Sequence, residues 1–451
     1  MCRNPLVARR AFRIVSAGLF AAYIPFAIRV AAATNQVSGP LNSFRDSIPR
    51  ARAVASPSSE ITIREFVDAT SSMRGFVEHG ATGFTQQLRE MEQAGRLAWP
   101  SVRNIECSKF GTEIIPGPAG MTCYSAVTQK GFFSLQKSQD YTRIDPILRN
   151  LDPNALTVIV TDLFEDDADF GPVFQSFKDC VFKRKLAVGI VGMKVGFNGT
   201  IYDIGTEKGV RQWSHDRPFY ALVIGRVEDV QSYFAELTPR VVPANQLLIL
   251  SDTLLVRPVS WDTSGKSRFV GATVDSNFIS VARDSSSFAV LRLQTYDKCE
   301  LDLKLDTKPN PFQPSLKWAQ VQPELIVKRF PKSGGSPETV SFPENSVAAK
   351  ILIGKGGDVG LHLVWVPKVI NPVERTFAEQ ITLQFRAEDV DFSMFQFVHE
   401  WDAIPIAGSA ATFDGGKTQY LSEFIAGLWK SLVQVERPDL GAIYVYFQSK
   451  R

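Results

Sequence analysis

Residues 61–76 read ITIREFVDATSSMRGF. Isoleucine, threonine, phenylalanine and valine crowd positions 61–67, a composition that favours a short strand. Asp68, Thr70 and Ser72 follow, one carboxylate and two hydroxyls at alternate positions. Gly75 then permits a tight turn into the next segment. In that segment Phe76, Phe84, Leu88, Met91 and Leu97 fall broadly on one side of a helix over 76–97. The oxygen-rich turn therefore leaves the carboxyl end of a strand, and in an open α/β sheet that edge is where ligands bind.

Working outward, strand and helix patterns alternate. Residues 104–115 suit a strand before the turn PGPAG, and 144–151 a short helix. LTVIVT (156–161) and LAVGIVGMKV (186–195) are continuous apolar runs, as expected of strands buried on both faces. Residues 170–183 read as a helix, and the cations of KDCVFKRK (178–185) suit its C-terminal end. FYALVI (219–224) is strand-like and 227–237 helix-like. This order predicts an α/β domain over 61–240, a mostly parallel sheet flanked by helices. From about 245 the spacing changes to short β-rich runs divided by turn residues: QLLILSDTLLVRPV, RFVGATV, NFISVAR, FAVLRLQTY, LDLKLDT, ELIVKRF, AAKILIG, GLHLVWVP and TFAEQITLQF. An all-β, sandwich-like region over 245–400 is expected, then a C-terminal helix (419–433) and strand (442–447) within 401–451.

One carboxylate and two hydroxyls converging on a point suit a hard divalent cation, Mg²⁺ above all. Two later residues extend the set. Thr142 lies in SQDYTRIDPIL before the short helix, and Asp162 ends the strand in VIVTDLFEDD. A plainer reading makes Asp68 an N-cap, Thr70 and Ser72 turn hydroxyls and Asp162 a loop acid. The order Asp68, Thr70, Ser72, then Thr142, then Asp162, with the continuation SSMRGF, resembles the von Willebrand factor A-like domains and their metal-ion-dependent adhesion site. Thr70 stands where that family has a Ser, and Leu163 where it commonly has a Gly.

The resemblance covers roughly 61–240. It implies a Rossmann-like fold that holds Mg²⁺, or Mn²⁺ or Ca²⁺ in its place. Thr70 and Ser72 would bind the ion directly, and Asp68, Asp162 and Thr142 directly or through water. One position is left for an acidic side chain of a protein partner. The implied function is a non-enzymatic adhesion or assembly module of the bacterial cell envelope. Two alternatives stand beside it. One is a Mg²⁺-dependent, haloacid-dehalogenase-like phosphatase with Asp68 as nucleophile, although that chemistry usually wants a second acid where Thr70 lies. The other is a structural envelope component whose metal site has degenerated. Glu165, Asp166, Asp167 and Asp169 read as a solvated acidic lip.

Composition narrows the classes. The 451 residues are 44% hydrophobic and 22% charged, which excludes a mostly disordered chain, a coiled coil and a polytopic membrane protein. The formal charge is +3, and five arginines among residues 1–33 outweigh it, so the body is nearly neutral and nothing favours nucleic acid. Residues 1–33 have the basic, apolar, small-residue order of a secretory signal, with Ala31 and Ala33 at an A-x-A site. Their paired Arg9 and Arg10 resemble a twin-arginine export signal. Retained, the segment becomes an N-terminal membrane anchor. Either way the body is expected in the periplasm or outside the cell; a third reading, a buried helix, places it nowhere in particular. Residues 34–60 read as a Ser/Pro/Arg-rich linker. Cys107 and Cys123 flank a short Gly/Pro-rich loop and form either a disulfide or two small apolar positions. Four scattered histidines and no CxxC make a zinc site improbable.

Overall fold

A computed structural model describes residues 57–78, 83–99, 101–163, 170–204, 209–255, 268–270, 272–274, 288–293, 298–308, 310–331, 336–343, 346–366, 376–403 and 413–448. The leader, most of the linker, the acidic lip and the run NFISVAR lie outside the described residues.

The first half forms one seven-stranded mixed sheet. Its strands are β1 (Glu60–Asp68), β2 (Ser101–Phe110), β3 (Ile114–Pro116), β4 (Ala155–Thr161), β5 (Ala187–Gly196), β8 (Asp216–Gly225) and β9 (Leu247–Leu250). The pair β6 (Gly199–Ile204) and β7 (Gly209–Trp213) forms a separate hairpin. The order across the sheet is β3-β2-β1-β4-β8-β5-β9. β1 pairs in parallel with both β2 and β4, and β8 lies antiparallel between β4 and β5. Four of the seven strands, β1, β2, β4 and β5, thus run the same way.

The run FYALVI is a strand as expected, but it runs against its neighbours. No helix separates β5 from β8; only the β6–β7 hairpin does, so the chain turns back on itself instead of crossing over. Two other elements differ from the sequence pattern. The stretch 104–115 is a hairpin of β2 and β3. The helix expected from 76 begins at Gly83, after a 3-10 turn at Arg74–Phe76. The Gly75 carbonyl accepts the Asn198 N–H at 2.8 Å and is thereby taken from any helix passing through it.

Alternation along the strands divides the side chains between two cores. Ile61, Ile63 and Val67 of β1 join one, with Val158, Val191, Phe219 and Ala221. Helices α1 (Gly83–Ala98) and α5 (Val227–Leu237) cover that face with Leu88, Met91, Val230, Tyr233 and Phe234. Gly189 of β5 lies directly under α5. A methyl group there would stand 2.5 Å from the Phe234 ring and 2.8 Å from Val230. We expect Gly189→Ala to destabilise the fold by roughly 1–3 kcal/mol through this overpacking, read as a lower urea midpoint.

Phe66, Ile159, Ile190, Tyr220 and Leu222 point to the other face. Between α1 and the later helices lie two short ones, α2 (Cys123–Ala126) and α3 (Asp145–Arg149). On this second face α4 (Gly171–Cys180) packs with helices from the far end of the chain, α6 (Gln396–Glu400) and α7 (Leu421–Val435). Phe170, Phe174 and Phe177 surround Phe424, with ring centroids 5.5–6.5 Å apart. Full burial of such a ring contributes roughly 1.5–3 kcal/mol. The helix expected to 183 ends at Cys180; the cations follow it in a 3-10 turn at Phe182–Arg184, where Lys183 pairs with Asp179 at 2.6 Å, and Lys185 pairs with Asp252 and Glu436.

The β-rich half contains two larger sheets. Arg268–Val270, Cys299–Lys304, Val359–Trp365 and Val347–Ile353 form an antiparallel four-stranded sheet. Six more strands, including Glu324–Arg329, Thr376–Gln384 and Asp439–Gln448, form the other, in which Phe288–Leu293 pairs in parallel with Asp439–Gln448. Burial alternates along Cys299–Lys304 and Val359–Trp365, so one face is covered. Leu301, Leu363, Ile381, Leu383 and Ile443 meet in the same core as α4 and α7. The C-terminal strand and helix therefore serve both halves. Among the described residues no helix is long and apolar enough to cross a membrane.

Candidate metal centre

Parallel pairing brings the ends of β1 and β4 side by side: Val67 lies opposite Val160, and Asp68 and Asp162 follow at the same rim. The Ala69 N–H donates to the Phe110 carbonyl at 2.9 Å, which holds the departing chain to β2. The Thr70 and Ser71 carbonyls then accept from Met73 and Arg74 and close a tight turn. Asp140 clasps that turn, accepting from the Ser71 N–H at 2.7 Å and the Ser71 hydroxyl at 2.5 Å. Two residues on, Thr142 is thereby brought over the end of β1. Gly75 completes the turn, because a methyl there would stand 2.4 Å from the Phe197 ring.

Four of the five expected side chains touch. Asp68, fully buried, accepts from the Thr70 N–H at 3.0 Å and the Thr70 hydroxyl at 2.7 Å on one oxygen. Its other oxygen accepts from the Thr142 hydroxyl at 2.8 Å and the Thr161 hydroxyl at 2.9 Å. Thr70 Oγ1 lies 3.1 Å from Ser72 Oγ and 3.4 Å from Thr142 Oγ1. The fifth, Asp162, is also buried and acts on Asp68 through its charge. Burial, and then the Asp162 charge, push the Asp68 carboxyl up to about 7 against the lowering effect of the hydroxyl bonds.

The donor set is made of oxygen alone. Ligands on adjacent positions of an octahedral Mg²⁺ site, bound at about 2.1 Å, lie about 3 Å apart. The hydroxyl separations of 3.1 and 3.4 Å are close to that edge length. Two buried carboxylates beside them supply the charge a divalent ion needs. The residues present therefore fit a hard cation. Among the described residues no three His, Cys, Asp or Glu side chains gather as a metal-holding group, and this centre has only two.

Leu163, directly after Asp162, has φ 57°. The left-handed conformation costs a leucine about 1–2 kcal/mol. Its buried side chain, worth roughly 1.5–3 kcal/mol, offsets that strain. The backbone after Asp162 thus keeps a glycine-like turn without glycine.

Three contributors were not legible as site residues. Thr161, directly before Asp162 in VIVTD, gave a signal in its hydroxyl and position. Asp140, in SQDYT, gave none beyond its closeness to Thr142. Arg217 gave none at all. It lies at the start of β8, and the reversed direction of that strand carries it to the rim where β4 ends. Its Nη2 donates to Asp162 Oδ2 at 3.3 Å and its Nη1 to the Gly415 carbonyl at 3.2 Å.

Cys107 on β2 and Cys123 at the start of α2 are joined in a disulfide, their Cα atoms 5.1 Å apart. It fastens the segment after the GP-rich loop to the edge of the sheet, and Cys123 packs against the Glu65 carbonyl. For a closed loop of this size we expect Cys123→Ser, or reduction, to lower stability by about 2–3 kcal/mol, measured by thermal melting with and without dithiothreitol. Compared with protein-family models, curated proteins and solved structures, the chain matches none.

Proposed function

We propose that the chain is a divalent-metal-dependent protein-binding module, exported from the cytoplasm to a bacterial envelope. The observation that carries this reading is the convergence of the Thr70, Ser72 and Thr142 hydroxyls around Asp68, with Asp162 beside them, at the carboxyl rim of an α/β sheet. Mg²⁺, when bound, would supply a Lewis-acidic position for a partner's carboxylate. Thr70, Ser72, Thr142, Asp68 and Asp162 would hold the ion, and their burial would keep water from one side of it. A charge-assisted contact of that kind anchors an interface. Beside the turn, a cleft of about 1090 Å³ is lined by Arg89, Lys130 and Tyr124 and by the Arg74–Glu78 ion pair, so its lining carries a net positive charge that suits an acidic partner surface. The disulfide suits an oxidising compartment.

Pull-down from envelope extract tests the reading: a partner should be retained in Mg²⁺ and lost in EDTA, and Asp68→Ala should retain none in either. Equal capture in EDTA removes metal dependence from the interaction. The phosphatase alternative has less support, because four donors already engage both Asp68 oxygens and position 70 carries no second acid. It predicts Mg²⁺-dependent cleavage of a generic phosphate ester that disappears in Asp68→Asn. One observation favours the structural alternative. Arg217 is itself a buried cation paired with Asp162, and in that reading its guanidinium takes the place of the ion.

A further inference from the structure

We infer that Arg217 sets the net charge of the loaded centre, so that its free position selects a carboxylate over a neutral oxygen ligand. This deepens the metal-binding reading above and rests on it. Arg217 is 5% exposed, its Nη2 on Asp162 and its Nη1 on the Gly415 carbonyl, with the guanidinium 5.5 Å from the centre of the Phe197 ring. The Phe197 ring in turn closes on Gly75 of the metal-binding turn. The cation is therefore held in place and cannot swing out to water, and a guanidinium stays protonated in proteins.

Among the described residues, the buried charged groups at this centre are Asp68, Asp162 and Arg217. A divalent ion held by two carboxylates is neutral overall and attracts an incoming carboxylate little better than water. Arg217 leaves the same centre with one positive charge. The consequence has two opposite signs: the fixed cation strengthens binding of an anion to the loaded site and weakens binding of the metal. A residue that merely propped up the fold would weaken both when removed.

Mn²⁺ and acetate are suitable probes for the full-length protein. Water-proton relaxation reports Mn²⁺ binding, and then displacement of Mn²⁺-bound water by acetate. A unit charge a few ångströms away in a poorly hydrated site is worth about tenfold or more, so Arg217→Gln should bind Mn²⁺ that much more tightly and acetate that much more weakly. Joint loss of both affinities, or no change in either, overturns the assignment. If Arg217→Gln does not fold, Arg217→Lys carries the test. It keeps the charge while losing the two-pronged bridge, so both constants should shift by less than about threefold, the scale of a rearranged contact and not of a lost charge. A larger joint loss makes Arg217 structural. A wild-type protein that binds no Mn²⁺ overturns the metal-binding reading itself, and is thereby told apart from failure of the Arg217 assignment alone.

Discussion

Adding Mg²⁺ should raise the melting temperature of the wild-type protein and leave that of Asp68→Ala where it stood. A ligand that binds only the folded state at about one hundred times its Kd adds about 2.7 kcal/mol, a shift of a few degrees for a chain of this size. Asp68 is the hub of the centre, since it fixes Thr70 through two bonds and Thr142 and Thr161 through one each. Its loss removes one of the two buried carboxylates and frees the hydroxyls to turn away. The alanine variant also strands buried donors, each worth about 1–3 kcal/mol, so its metal-free melting point should fall as well. Asp68→Asn controls for that loss, because it keeps the shape and removes the charge; it too should show no Mg²⁺ shift. Differential scanning calorimetry with Mg²⁺ and with EDTA reads both effects. A shift of equal size in wild type and both variants sinks the metal assignment.

Stability should fall as pH rises from about 4.5 to about 8, with Glu65 contributing beside Asp68, whose carboxyl is raised to about 7. Burial, and next the negative charge of Glu92, push the Glu65 carboxyl up to about 8, with Arg96 opposing. In the unfolded chain the same group titrates near 4.5. Between those values the folded protein holds a proton that the unfolded chain has released, so each rise in pH favours unfolding. The contribution is fully present below 4.5 and is lost as pH approaches 8. At about 1.4 kcal/mol per pH unit the loss is of the order of 3–5 kcal/mol. Glu65→Gln keeps the shape and carries no ionisable proton. Its stability should be close to wild type at pH 5 and should exceed it at pH 8, by urea denaturation at each pH. Parallel profiles for the two proteins would assign the slope to other groups.

How much of this was legible in the chain follows from where the information lies. Strands β4 and β5 announced themselves as apolar runs, as burial on both faces favours, and β1 as a short β-rich run. Helix α1 and the C-terminal α7 showed in their apolar spacing. Asp68, Thr70 and Ser72 were legible together because one turn holds all three. The direction of β8 was not. A strand's composition does not encode which way it runs; the connection does, and here the connection is a hairpin. Leu163 shows the same limit at one residue, since its sequence gives no hint that packing holds it in the left-handed region.

The alternation of elements, the change to a β-rich second half and the oxygen-bearing residues at the end of β1 can be read directly along the chain, because each is a local pattern of side chains. Only the tertiary structure decided that α7 covers α4, that Asp140 and Thr161 support the centre, and that Arg217 arrives beside Asp162. Those contacts join residues 55 to more than 200 positions apart or turn on the direction of a strand. They form because buried surfaces and charges must be matched across the whole molecule, and no local stretch of chain carries that requirement.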